Sequence, residues 1–264
     1  MGLVFDADSA NLYATWCRSP HGRAMDRFVE KSVRGLLDPQ PGEKVLDIGC
    51  GEGNHLLFFS KLGLDINGVD PSPYLIDRAR ERLGYRCMLK IGRAEELPYS
   101  DNEFDLAVMI NTLEFVDDPL AALMEAGRVA RRGVFIGVMN SLSWFWLCQK
   151  LQGFFRATLF SRARFFNLWE LKNLVQRAFG DAPVTWRCAQ LYPAFLDFPA
   201  PHPKKPDRLE HCPFGLFLGV FITMKYWVRT EQHPLRIGFK ETKRPLIPGI
   251  SRGECPLHGG EAEI

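Results

Sequence analysis

Glu43-Lys-Val-Leu-Asp-Ile-Gly-Cys-Gly-Glu-Gly53 decides the fold. Val45, Leu46 and Ile48 make the short apolar run of a strand buried in a parallel sheet. Gly49, Gly51 and Gly53 follow at alternate positions, where missing Cβ atoms let a ligand approach the backbone. Asn54 to Leu62 then reads as a helix whose free N–H groups and positive dipole end face that loop. The next strand, 65–70, ends on Asp70, 17 residues after Gly53. A carboxylate there stands beside the loop and can accept both hydroxyls of a ribose, as in doubly wound sheets that hold nucleosides. The simpler alternative is a tight turn with Asp70 as a helix cap; strand, loop and helix in this order favour a cofactor cradle.

Working outward, residues 1–40 read as an N-terminal helical cap. A turn at Ser19 to Gly22 is followed by Met25, Phe28, Val29, Val33 and Leu36 at helical spacing, and Asp38-Pro-Gln-Pro-Gly42 stops the run. After it come strand 44–48, helix 54–62, strand 65–70, helix 73–83, strand 86–91, strand 104–110, helix 119–130 and strand 133–139. This βαβ series predicts a parallel sheet with right-handed crossovers and helices on both faces. Further on, a helix is expected over 167–179, a strand over 184–191 and a long apolar strand over 215–226. The domain thus runs from 41 to 230, with an inserted aromatic and basic segment over 141–166 and an irregular tail over 231–264. The proline-rich stretch from Pro193 to Pro213 reads as a surface excursion.

A chain of 264 residues that is 46% hydrophobic can bury one substantial core. With a net charge of only +2 and mixed signs along the chain, no nucleic-acid partner is expected. The seven cysteines never form a C-x-x-C pair, which argues against a disulfide framework and against a metal site, and suits a reducing cytoplasm. The N-terminal residues lack the cationic and apolar regions of a signal peptide. The apolar run from Phe214 to Met224 is shorter than the ~20 residues that a membrane span needs.

Which nucleoside the cradle holds is narrowed by its neighbours. A dinucleotide fingerprint wants glycine where Asn54 stands, and no Gly-Lys-Ser/Thr offers a site for a nucleotide triphosphate. Asp47 and Glu52 flank the loop, and anionic side chains suit a ligand with ammonium and sulfonium character better than one with phosphates.

Four further motifs are in place: Val69-Asp-Pro-Ser-Pro73, Gly92-Arg-Ala-Glu-Glu-Leu-Pro98, Asn102-Glu-Phe-Asp105 and Leu113-Glu-Phe-Val-Asp-Asp-Pro119. Through them, over roughly residues 11–180, the chain resembles the class I S-adenosylmethionine-dependent methyltransferases of the type 11 group. The resemblance implies an α/β, Rossmann-like, doubly wound seven-stranded sheet of order 3-2-1-4-5-7-6, with strand 7 antiparallel and helices on both faces. It implies S-adenosyl-L-methionine as cofactor and S-adenosyl-L-homocysteine as product. Asp47, Gly49, Cys50, Gly51 and Gly53 would face the methionine part, Asp70 with Pro71 the ribose, and Arg93 and Ala94 the adenine, while Asn111 and Thr112 would pass near the methyl donor. The chain departs from the family's pattern twice. Arg93 replaces an acid that accepts the adenine amino group, and a guanidinium cannot accept, which shifts that contact to the Ala94 backbone or Glu95. Phe115 replaces a histidine, so no histidine base is assigned there.

Tyr13-Ala-Thr-Trp16 with Pro20-x-Gly22 is similar to the family's N-terminal lid. An aromatic ring over a sulfonium gains about 0.5–2 kcal/mol and a lid excludes water; plain helix packing is the alternative. Tyr13 and His21 are the candidates for a catalytic group, whereas His55, on the helix after the glycine loop, reads as structural. The Trp144 to Phe166 segment, rich in Trp, Phe and Arg, reads as a pocket wall or cap that follows strand five directly; the alternative is peripheral membrane contact through 142–166. The expected function is methyl transfer to a small, apolar or amphipathic acceptor. The alternative is a cofactor-binding regulatory or partner protein without turnover.

Overall fold

The computed structural model describes residues 4–143, 163–189, 211 and 213–224, apart from the side chains of Pro20, His21, Ala24 and Ala189. Most of the aromatic and basic segment, the greater part of the proline-rich stretch and the tail over 231–264 lie outside the described residues.

Helix α1 (Ala7–Cys17) begins where the Asp6 carboxylate caps it by accepting the Ser9 N–H at 2.9 Å. Ser19 caps α2 (Pro20–Leu37) through the Gly22 N–H, and proline occupies the first turn. Strand β1 (Lys44–Ile48), helix α3 (Asn54–Lys61), strand β2 (Asp65–Asp70) and helix α4 (Pro73–Leu83) follow in the expected order. A 3₁₀ turn over Gly84–Arg86 delays β3, which spans Met88–Ile91. After β4 (Phe104–Ile110) come α5 (Pro119–Val129) and, without a connecting turn, β5 (Ala130–Met139). Then come α6 (Leu168–Phe179), β6 (Val184–Ala189) and β7 (Phe217–Thr223).

Among the described residues seven strands form one sheet of order β3-β2-β1-β4-β5-β7-β6. The first five are mutually parallel; β7 inserts antiparallel between β5 and β6, with Ile136 opposite Val220 and Val220 opposite Trp186. The expected strand order and the reversed strand are both present.

Strand alternation divides the apolar residues between two cores. Leu46, Ile48, Ala107 and Met109 face Ala122, Leu123 and Ala126 of α5 and Leu171 and Val175 of α6. Val45, Leu106 and Val108 face Met25, Val29 and Val33 of α2, Phe59 of α3 and Ile76 of α4. Helices therefore cover both faces, and the carboxyl ends of β1, β2 and β4 are left to build a site. No helix among the described residues is long and apolar enough to cross a membrane.

Candidate functional site

A cavity opens above those strand ends. Its floor is the glycine loop. The Gly49 and Cys50 N–H groups both donate to the Val69 carbonyl, at 2.7 and 3.1 Å, and tie the loop to β2. Gly49 has φ +76°, and a Cβ there would stand 2.4 Å from the Thr112 side chain, whose hydroxyl donates to the Ile48 carbonyl at 2.8 Å. Gly51 has φ +53°, and a Cβ on it would meet nothing within 4 Å, because that position looks into the cavity itself. The loop is thus held from behind and bare in front, as a cradle for a ligand requires.

Asp70, at the end of β2, is 6% exposed. Its Oδ2 accepts the Gly51 N–H at 3.0 Å and its Oδ1 the Ser72 N–H at 2.9 Å. Burial raises its pKa, and those two N–H groups pull against the rise. On the far wall the Gly92 N–H donates to the Asp70 carbonyl at 3.2 Å and brings the 92–95 turn alongside. The Arg93 guanidinium is taken up by acids, 2.6 Å from Asp117 and 3.4 Å from Glu95. Glu95 in turn accepts the Asp117 N–H at 2.8 Å, so one Glu95 oxygen is engaged and Ala94, buried, lines the wall.

The segment before and along α1 forms the roof. The Phe5 carbonyl accepts the Ser72 hydroxyl at 2.6 Å, and the Phe5 ring meets Tyr13 edge-on at 5.8 Å and Phe115 at 5.3 Å. Tyr13 stacks on Trp16 at 5.9 Å. Its hydroxyl, buried near Cys17 and Asn111, is pushed well above the ordinary phenol range by desolvation and stays neutral. Asn111 takes φ +53°, donates its N–H to the Gly137 carbonyl at 2.8 Å and leaves its buried Oδ1 without a hydrogen-bond partner.

Behind Tyr13, Asn111 and Phe115, a tightly packed seam without room for a water molecule is walled also by Trp16, Glu114, Met139, Ala163 and Phe165. Glu114, 3% exposed, accepts the Met139 N–H at 2.7 Å with Oε1, while Oε2 has no hydrogen-bond partner. Burial pushes its pKa up to about 7.

Of the residues named from sequence, Tyr13, Gly49, Cys50, Gly51, Asp70, Pro71, Arg93, Ala94, Glu95, Asn111 and Thr112 all line the cavity. Asp47 and Gly53 do not. Asp47 points from β1 into the core beneath the loop, 1% exposed with both oxygens unpartnered, and burial reinforced by the Asp70 charge lifts its pKa to about 8. Gly53 begins α3 against Leu83. The imidazole of His55 lies in the cavity wall, where burial lowers its pKa to about 4 and keeps it neutral. The backbone of His21 lies in the first turn of α2, and its side chain is outside the described residues. Sequence reasoning missed Phe5 and Glu114. The signal for Glu114 was an acid between two apolar residues in Leu113-Glu-Phe115, four residues past the end of β4. Among the described residues no group of three or more His, Cys, Asp or Glu could hold a metal ion, and Cys17, Cys50, Cys87 and Cys188 are free thiols.

With this geometry in hand, residues 46–137 match the methyltransferase domain family, type 11. An uncharacterized methyltransferase of Mycobacterium tuberculosis is 36% identical over 117 residues, 44% of this chain and 47% of that protein. The demethylmenaquinone methyltransferase of Corynebacterium kroppenstedtii is 36% identical over 109 residues, 41% of this chain and 46% of that protein. The chain thus spans less than half the length of these curated relatives. Among solved structures, a SAM-dependent methyltransferase of Thermotoga maritima superposes with a TM-score of 0.61 over 81% of this chain and 95% of that one, at 26% identity. Motifs, strand order and these likenesses agree: over residues 46–137 the chain is similar to the type 11 methyltransferase domain, and its sheet has the order that the class I resemblance implies.

Proposed function

We propose that the cavity binds S-adenosyl-L-methionine and that the protein transfers its methyl group to a small, apolar or amphipathic acceptor. The observation that carries this reading is the pairing of a glycine backbone, bare toward the cavity at Gly51, with the Asp70 carboxylate at its rim. The residues fit the group. Asp70 keeps acceptor capacity beyond the two N–H groups that it already binds, which suits ribose hydroxyls. The Ala94 turn offers backbone and Glu95 to an adenine edge, and Leu75 and Val116 supply apolar lining. Asn111 presents an unpartnered carbonyl oxygen at the inner end, and the loop carries no cation that would repel a sulfonium.

When bound, the cofactor supplies an already activated methyl group, so this chain's task is alignment and exclusion of water. Phe5, Tyr13 and Phe115 close the roof for that purpose, and Tyr13 presents an aromatic ring and a neutral hydroxyl. His55, whose pKa burial lowers to about 4, is a weak proton acceptor, and Phe115 has no group that could act as a base.

Isothermal titration calorimetry with S-adenosyl-L-homocysteine is the test. Wild type should bind, and Asp70→Ala should lose about 1 kcal/mol or more, the worth of a charge-assisted hydrogen bond. Unchanged affinity in that variant would refute the ribose assignment. Formation of S-adenosylhomocysteine from the methyl donor with a cell-extract metabolite fraction would establish turnover. Tight binding with no turnover across acceptor classes would instead support a regulatory or partner role.

A further inference from the structure

The ligand proposed above carries a carboxylate as well as an ammonium, and most of the cavity wall offers a carboxylate nothing. Among the described residues one cation lines the wall, Arg93, and Asp117 and Glu95 take it up beside the 92–95 turn. Asp47 and Gly53, expected near the methionine part, do not line the cavity. Two strands away from that turn, where the loop after β1 enters α3, the wall is made by Glu52, Asn54 and His55. The Arg78 guanidinium stands 3.3 Å from Glu52 and counters its charge, and it also donates to the Asn11 Oδ1 at 3.0 Å; the Asn54 Oδ1 accepts from Arg82. Both arginines thus serve side chains of the protein itself, and neither lines the cavity.

His55 is different. Its Nε2 is buried with no hydrogen-bond partner. A histidine kept for structure would spend that nitrogen inside the fold, as buried polar groups do; this one does not. It stands in the first turn of α3, a helix that begins on Gly53 with no side chain capping its N–H groups. Burial keeps the imidazole neutral, so one ring nitrogen carries a proton to donate. The histidine χ2 torsion is soft, and the ring can turn that N–H to a ligand. Open helix N–H groups, the positive end of the α3 dipole and an imidazole donor together suit an anion.

We propose that His55 is a ligand-binding residue which, with the open first turn of α3, holds the carboxylate at the amino-acid end of S-adenosyl-L-methionine and makes the site selective for the carboxylated ligand. The proposal rests on the methyl-donor reading above and adds to it the residue that selects this end of the molecule.

The test is calorimetric titration with S-adenosyl-L-methionine and with decarboxylated S-adenosylmethionine, which keeps the sulfonium and the ammonium and lacks only the carboxylate. Wild type should bind the carboxylated ligand about tenfold more tightly, the order expected of a charge-assisted hydrogen bond. His55→Ala should bring the two affinities to within about twofold and leave that for the decarboxylated ligand as in wild type. His55→Gln, which keeps an N–H donor, should restore a preference of about threefold. A preference that survives His55→Ala, or equal weakening of both ligands in that variant, would overturn the proposal, the latter marking His55 as packing only. If His55→Ala fails to fold, wild type isotopically labelled at the histidine Cε1 decides by nuclear magnetic resonance, with the His55 signal identified by its absence in His55→Gln. That signal should move with S-adenosyl-L-methionine and not with the decarboxylated ligand, and an equal shift with both would overturn the proposal. Failure of wild type to bind either ligand would sink the methyl-donor reading, and this one with it. Binding of both with equal affinity sinks this one alone.

Discussion

Asp47 is buried with neither oxygen partnered, one strand residue below the loop that it was expected to serve. Its pKa rises from 3.8 to about 8, and that of Glu114 from 4.5 to about 7. In both cases the folded state holds a proton that the unfolded chain releases. Their contribution to stability is therefore complete below about pH 4 and is lost as pH rises toward 8. The urea midpoint of the cofactor-free protein should fall between pH 5 and pH 8, and Asp47→Asn should flatten much of that fall, a gain of ~1 kcal/mol or more at pH 8. A midpoint equally pH-dependent in the variant would show that Asp47 is ionised and partnered. Asp70, Gly49 and Gly51 were legible in the sequence because strand ends and glycines fix their own positions. The depth of Asp47 and the isolation of Glu114 were not, because they depend on Asp70, Met139 and Phe165, brought in by the tertiary fold.

The elements were legible where apolar periodicity sets them, and less so at their ends. Helix α1 begins at Ala7 because Asp6 caps it, a signal too local to stand out in a segment without a strong apolar stripe. Strand β5 begins at Ala130 directly after α5, where the expected turn is absent and the chain passes from helix to strand at one residue. At this scale α1 is the element with the most to contribute to function. Its Tyr13 and Trp16 rings stack beside the inner end of the cavity. Tyr13→Ala should weaken S-adenosylmethionine by about 0.5–2 kcal/mol through lost cation–π contact, and the neutral S-adenosylhomocysteine by less. Calorimetry on both ligands separates the two losses, and an equal loss for each would mark Tyr13 as packing only. Helix α6 offers a purely structural counterpart. Asn167 accepts the Glu170 N–H at 2.9 Å while Glu170 accepts the Asn167 N–H at 3.1 Å. Asn167→Ala should lower stability by about 1 kcal/mol in urea titration and leave S-adenosylhomocysteine affinity unchanged.

For the whole molecule, the βαβ series predicted the parallel strands directly, whereas the place of β7 came from the family resemblance, since no local signal in Phe217–Thr223 says which neighbours it pairs with. Its burial is nearly complete, and Val220, 0% exposed, stands between Ile136 and Trp186. Val220→Asp buries an unpaired charge and should cost more than ~3 kcal/mol, visible as loss of the cooperative thermal transition. Retention of that transition would place β7 at the periphery of the folding unit.

The insertion of β7 between β5 and β6 also sets a timetable. During synthesis β5 emerges about 80 residues before β7, so the ribosome exposes an apolar edge at Gly133–Met139 for several seconds at ~5–20 residues per second. The cofactor cradle, built from β1, β2 and β4, can form during that wait, but the sheet closes only when β7, the last of its described strands in the chain, enters between β5 and the edge strand β6. This topology allows the binding end to assemble first and leaves the β5 edge open to mispairing until Thr223 has emerged.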